Sequence, residues 1–263
     1  MGLHQSIPAR LLAVRLAEND TDVMAAQRLR YRIFFEALGA AAADADAKDS
    51  AGGRDIDRYD GLCDHLLVED LAAPGRPVVG TYRLLRQSVA ERHFGFYSAD
   101  EFDLGPVIAH ARQEGMELLE LGRSCVDPAY RDAGTIQMLW RGIADYLRQH
   151  RIGYMFGCAS FHGTDPEEHA AGLSLLAHDH MAPVDLRACA AGGVEMARLP
   201  IGGYDARLAQ RHLPPLIKAY LRVGAQVGDG IFIDHAFNSI DVFMLMPVAR
   251  IAARYAERFE AAA

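Results

Sequence analysis

LELGRSCV, running from Leu119 to Val126, sets an acid, Glu120, and a base, Arg123, three apart in an otherwise apolar, strand-like stretch. Side chains alternate along a regular strand, so these two should point to opposite faces. A β-bulge at the central Gly122 would add one residue, turn both side chains toward one cleft and twist the strand away from its neighbour. A structural ion pair at a strand edge is the other reading. The next stretch, Tyr130 to Leu147 (YRDAGTIQMLWRGIADYL), reads as a glycine-containing turn feeding a helix, whose free N–H groups suit a phosphate. Only Gly134 stands where a fuller motif would hold two glycines.

The remainder of the 263-residue chain, 51% apolar, can bury a sizeable core and is expected to form a single domain. Its net charge of −8 gives no basic field, so nucleic acid is not an expected partner. Cys63, Cys125, Cys158 and Cys189 are widely spaced and show no metal pattern, which fits a reducing cytoplasm without disulfide or metal. The longest apolar run, near VFMLMPVA, is too short to cross a bilayer.

Organisation follows from periodicity. LLAVRLAEN reads as a strand, and TDVMAAQRLRYRIFFEALGA as a helix capped by Thr21 or Asp22. DHLLVEDL and RPVVGTYRLLRQS look like a strand pair joined through AAPGRP. After LELGRSCV come a helix closed by basic residues, a strand RIGYMFGCASF and a helix with Thr164 or Asp165 as its cap. IFIDHAF and DVFMLMP read as late strands, and a last helix starts around Pro247. Strands alternating with helices indicate an α/β fold with a mixed sheet.

Strand, bulge, turn, helix and strand in this order resemble the core of the GNAT acyltransferase superfamily. RYRIF (Arg30 to Phe34), DRYD (Asp57 to Asp60), Arg83 in TYRLL, and ELGR (Glu120 to Arg123) are similar to the acyl-homoserine-lactone synthases. GTYRLL, GFYSADEFDL, LELGRSCV, FGCASFHGTDP, LPPLIKAYLRVGA and FNSIDVFMLMP extend the likeness, over nearly the whole chain, to the ornithine N-acyltransferases that begin ornithine-lipid synthesis. Two departures set the chain apart from the lactone synthases. Ala40 stands where those enzymes usually have Trp, and the residues from Leu199 lie beyond their typical end.

The resemblance implies a GNAT-like fold with splayed central strands, a core over about 11–198 and a C-terminal extension over about 199–263. It implies transfer of a 3-hydroxyacyl chain from acyl carrier protein to the α-amine of L-ornithine. No resident cofactor and no metal is expected, since the carrier's phosphopantetheine arm brings the acyl group. Glu120 is the candidate general base for the attacking amine. Arg30, Phe34, Asp57, Asp60, Arg83 and Arg123 are expected around the amino acid, the acids toward its ammonium groups and Arg30 or Arg83 toward its carboxylate. Cys125, Val126, Arg131, Gly134, Thr135 and Ser160 are expected along the pantetheine arm and acyl chain. No covalent intermediate is needed, so the Cys125 and Cys158 thiols read as core groups.

Other signals carry less. His65 and Asp70 match an HxxxxD pattern but would face opposite sides of a strand. His169, His178 and His180 lack metal-site spacing. The final helix has an apolar stripe and an arginine stripe; it packs on the core or rests on anionic lipid, as a peripheral enzyme releasing an amphiphile would. Arg141, Arg148 and Arg151 offer a local basic patch for an acidic carrier.

Overall fold

The computed structural model of the protein describes residues 10–37 and 52–251. In chain order the strands are β1 (Leu12–Leu16), β2 (Asp64–Asp70), β3 (Val78–Arg86), β4 (Phe102–Asp103), β5 (Glu117–Val126), β6 (Ile152–His162), β7 (Cys189–Ala190), β8 (Gln226–Val227), β9 (Phe232–Asp234) and β10 (Ser239–Pro247). The helices are α1 (Asp20–Tyr31), α2 (Gly105–Gln113), α3 (Ala133–Gln149), α4 (Ala170–Asp179), α5 (Ala206–His212) and α6 (Pro215–Arg222). Packing gathers the described residues into two units, one of 10–37, 52–83 and 123–149, the other of 84–122 and 150–251. Among the described residues the chain passes between them inside β3, inside β5 and between Gln149 and His150.

In the first unit β1 runs antiparallel to β2, from Leu12 opposite Asp70 to Leu16 opposite Leu66. α3 lies on these strands, and Gly142 allows the close approach: an added Cβ would come within 2.7 Å of Leu66 and Val14 methyl groups. α1 buries Ala26 and Leu29, which pack with Ile33, Leu67, Val78 and Cys125, and Phe34 covers the edge of this cluster. Its cap is Asn19, whose side chain accepts from the Asp22 amide. The expected caps, Thr21 and Asp22, lie inside the helix, and Asp22 pairs with Arg15 at 2.6 Å. Past Tyr31 the helix widens into a π-turn over Arg32–Ala37.

In the second unit β5 and β6 are parallel, paired from Glu117 opposite Ile152 to Glu120 opposite Phe156. β10 runs antiparallel to the other edge of β6 along nine rungs, Ser239 opposite His162 through Pro247 opposite Tyr154. β8 and β9 both pair with β10. Parallel and antiparallel pairs thus make the expected mixed sheet. Within the region from Leu199 onward, β10 is buried at eight of nine positions. Pro247 closes that strand, and most of the striped terminal helix, including Tyr255 and Phe259, lies outside the described residues.

Among the described residues the β5–β6 ladder stops at Glu120 and Phe156, while β6 continues to His162. The next residue explains how closely the strands meet there. A Cβ on Gly157 would fall 2.2 Å from the Leu121 carbonyl oxygen, so only glycine fits before the strands part. Gly157→Ala is expected to cost about 1–3 kcal/mol by forcing the backbones apart, read as a lower urea midpoint with an unchanged slope.

Candidate active site

Each unit carries one polar centre. In the first, α1 presents Arg30, which is only 1% exposed and therefore needs internal counter-charges. Its Nε donates to Asp55 at 2.8 Å, its Nη1 and Nη2 to the two oxygens of Asp60 at 2.8 and 2.9 Å, and its Nη2 also to the Asp55 carbonyl at 2.5 Å. Gln27, one turn earlier, donates to Asp60 at 3.0 Å. From β3, Arg83 Nη1 donates to both oxygens of Asp57 at 2.7 and 2.6 Å and to Asp60 at 3.3 Å. Arg123 sits in left-handed backbone at φ 50°, which re-aims its side chain, and its guanidinium lies 3.4 Å from both Asp55 and Asp57. Three arginines face three aspartates.

The electrostatics follow from that closure. Burial pushes the Asp60 carboxyl up, but hydrogen bonds and charge from Arg30, with Arg83 and Gln27, pull it well below the usual range. Burial likewise opposes the ionisation of Asp57, and Arg83 and Arg123 override it. Arg83, which burial alone would make less basic, is held charged chiefly by Asp57.

The expectation that Arg30 and Asp60 meet the amino acid is corrected here: they are sealed and hold each other. Asp57 and Arg123, with side chains 20% and 13% exposed, are the members open to a ligand. Asp55 was not singled out in the sequence, although DIDRYD carries it two residues before Asp57. His65 is buried and bonds the Asp60 carbonyl through Nε2 at 2.9 Å, and burial lowers its pKa. Asp70 instead accepts from the Tyr130 hydroxyl at 3.0 Å, so the two do not form an HxxxxD pair.

The pantetheine-side residues separate in the same way. Cys125 belongs to the apolar cluster, and burial pushes its thiol up to about 12, so its role is packing and not lining. Arg131 is exposed and bonds the Val126 carbonyl at 3.1 Å. Gly134 is exposed on the rim of an open cleft of about 500 Å³ that Arg10 and Arg141 also line. Thr135 is buried, its amide and hydroxyl both donating to Asp132 at 3.0 and 3.4 Å. Asp132 pairs with Arg10. A carboxylate therefore caps the start of α3, where a phosphate was expected.

The second centre surrounds Glu120, 4% exposed at the last rung of the β5–β6 ladder. Its Oε1 accepts from the Ser98 amide at 2.7 Å and the Ser98 hydroxyl at 2.5 Å, and its Oε2 from the Tyr97 amide at 2.9 Å. Two residues past that rung, Cys158 turns its thiol inward, 3.5 Å from Ser98 Oγ and 3.1 Å from Glu101 Oε2. The Cys158 thiol is thus a hydrogen-bonding group and not plain core. Ser160 follows on the same face of β6, exposed, with Asp241 directly opposite on β10. Glu101, Asp234 and Asp241 lie within 4.8 Å of one another.

A parallel strand pair that parts beside a buried carboxylate, followed by a helix-led crossover, defines a GNAT-type acyltransferase. Residues 29–141 match the acetyltransferase (GNAT) domain family. The L-ornithine N(alpha)-acyltransferase of Brucella abortus is 46% identical over 257 residues, spanning 96% of this chain and 90% of the relative. That of Agrobacterium fabrum is 45% identical over 93% of this chain and 83% of its own. The chain belongs to the L-ornithine N(alpha)-acyltransferase family. In fold it is similar to FeeM, an N-acyl amino acid synthase from uncultured soil microbes, with a TM-score of 0.52 at 13% identity, covering 94% of this chain and 96% of that one.

Asp60→Ala would leave the buried Arg30 charge uncompensated, at an expected cost of about 3–5 kcal/mol, measured by urea unfolding at neutral pH. Because the folded state holds the Asp60 carboxyl below its ordinary value of 3.8, the stabilisation is complete above that pH and is lost as pH falls below it. The gap between wild type and variant should therefore narrow only in acid.

Proposed function

We propose that this protein transfers a 3-hydroxyacyl chain from acyl carrier protein to the α-amine of L-ornithine, releasing lyso-ornithine lipid. The observation that carries this reading is the 46% identity with an ornithine acyltransferase along 96% of the chain. The geometry supplies complementary chemistry. Ornithine brings one carboxylate and two ammonium groups. Arg123 is proposed to meet the carboxylate and Asp57 an ammonium, while Arg30, Asp55, Asp60 and Arg83 hold them in place.

The start of α3 favours a carrier-bound donor over coenzyme A. Asp132 there opposes a pyrophosphate, whereas a carrier's arm presents a single phosphodiester, and Arg10, Arg131 and Arg141 lie nearby for an acidic protein surface. Ser160, exposed on the parted edge of β6, is placed to line the acyl or pantetheine path. Among the described residues no helix is long and apolar enough to cross a membrane. A peripheral contact with anionic lipid is proposed for the C-terminal stretch that carries Arg250, Arg254 and Arg258.

The direct test incubates the purified protein with 3-hydroxyacyl carrier protein or 3-hydroxyacyl coenzyme A and a panel of ornithine, lysine, glutamine and homoserine. N-acyl-ornithine from the carrier-bound donor is the expected main product, and preferential acylation of another amine would overturn the assignment. Asp57→Asn and Arg123→Lys should raise the KM for ornithine about tenfold or more, since each removes a charge-assisted contact of roughly 1.5–3 kcal/mol. Glu120→Gln should lower turnover, because it weakens the hold on the Tyr97–Ser98 turn.

A further inference from the structure

Glu101 lies in the GFYSADEFDL stretch without a role from the sequence, yet it stands where β5 and β6 part. Cys158, which touches it, follows the last β5–β6 rung by two residues. Around it Asp234 and Cys158 are half-buried, and Ser160 beside them is exposed. Glu120, at the last rung, is the less available proton acceptor. Both its oxygens already accept, from two amides and the Ser98 hydroxyl.

We propose that Glu101 is the carboxyl group that takes the proton from the α-ammonium of the acceptor amino acid, with Cys158 as its positioning residue and Glu120 anchoring Ser98 beside it. This rests on the amine-acyltransferase reading given above. The groups facing Glu101 come from four strands: Asp241 on β10, Asp234 on β9, Glu120 on β5 and the Cys158 thiol on β6. Burial, then Asp241, push its pKa up to about 8, and the thiol hydrogen bond pulls modestly the other way. A carboxyl in that range matches an amino-acid amine at neutral to mildly alkaline pH. An arriving ammonium would also relieve the crowding of negative charge that keeps Glu101 protonated.

The step balances. The ammonium gives one proton to the Glu101 carboxylate, and the freed nitrogen lone pair attacks the thioester carbonyl carbon. The C–N bond forms as the C–S bond breaks, and the remaining excess N–H proton passes to the departing pantetheine thiolate. Glu101 then returns its proton to water.

The test compares wild type, Glu101→Gln and Cys158→Ala, each checked for folding, across pH 6 to 10 at saturating acyl carrier protein and ornithine. Wild-type turnover should rise with pH to a plateau above about 8. Glu101→Gln should lose at least a hundredfold with the rise abolished. Cys158→Ala should reach a similar plateau with its inflection displaced to higher pH, a displacement that ionisation of ornithine itself cannot produce. A protonated-carboxyl infrared band that titrates near the same pH and is missing in Glu101→Gln provides a readout independent of turnover. Wild-type turnover and pH profile in Glu101→Gln, or an unmoved inflection in Cys158→Ala, would overturn this assignment and leave the acyltransferase reading standing. Absence of any N-acyl-ornithine from wild type would remove the acyltransferase reading first.

Discussion

A guanidinium withdrawn from water is the constraint around which the first unit is arranged. Arg30 can occupy the buried face of α1 only because Asp55 and Asp60 close over it, and they can do so only if the residues from 52 to 63 fold back onto the helix. Removing two charges from solvent is costly, so such a pair contributes more to choosing one conformation than to raw stability. What it fixes is the placement of Asp57, held by Arg83 at the less buried edge. The ion-pair array is therefore a mount that leaves Asp57 as its most exposed acid.

The second unit solves a different problem, which is to keep the carboxyl groups of Glu101, Glu120 and Asp241 out of water. Two parallel strands meet backbone to backbone at Gly157 and share no further rungs among the described residues. Glu120, at that last rung, ties down the Tyr97–Ser98 turn, and the turn in turn frames the thiol of Cys158. Function and fold thus draw on the same feature. The break in the ladder that sacrifices hydrogen bonds is also what opens the edge of β6.

Much of this was legible in the chain. The apolar runs of β3, β5, β6 and β10 and the amphipathic α3 announce a mixed α/β sheet, because burial imposes their periodicity. Arg30, Asp57, Asp60, Arg83 and Arg123 were found as residues but not as partners, since pairing depends on long-range closure that spacing does not encode. Asn19 was missed as a cap because Thr21 and Asp22, the expected candidates, stand inside the first turn, where Asp22 pairs with Arg15. At the start of α3 the spacing could not show that Asp132 takes the Thr135 amide. Glu101 carries no local signature at all, as its setting is made by Asp241 and Cys158 from distant strands.

The position of β10 bears on how the molecule comes into being. β6 is flanked by β5, made shortly before it, and by β10, which arrives only after α4, α5 and α6. Until residues 239–247 leave the ribosome, one whole edge of an apolar strand waits without a neighbour, the situation that invites pairing with foreign chains. Synthesis of the second unit is therefore committed to a late rendezvous, and interruption of translation before Ser239 yields a chain exposed to aggregation where an intact one is covered.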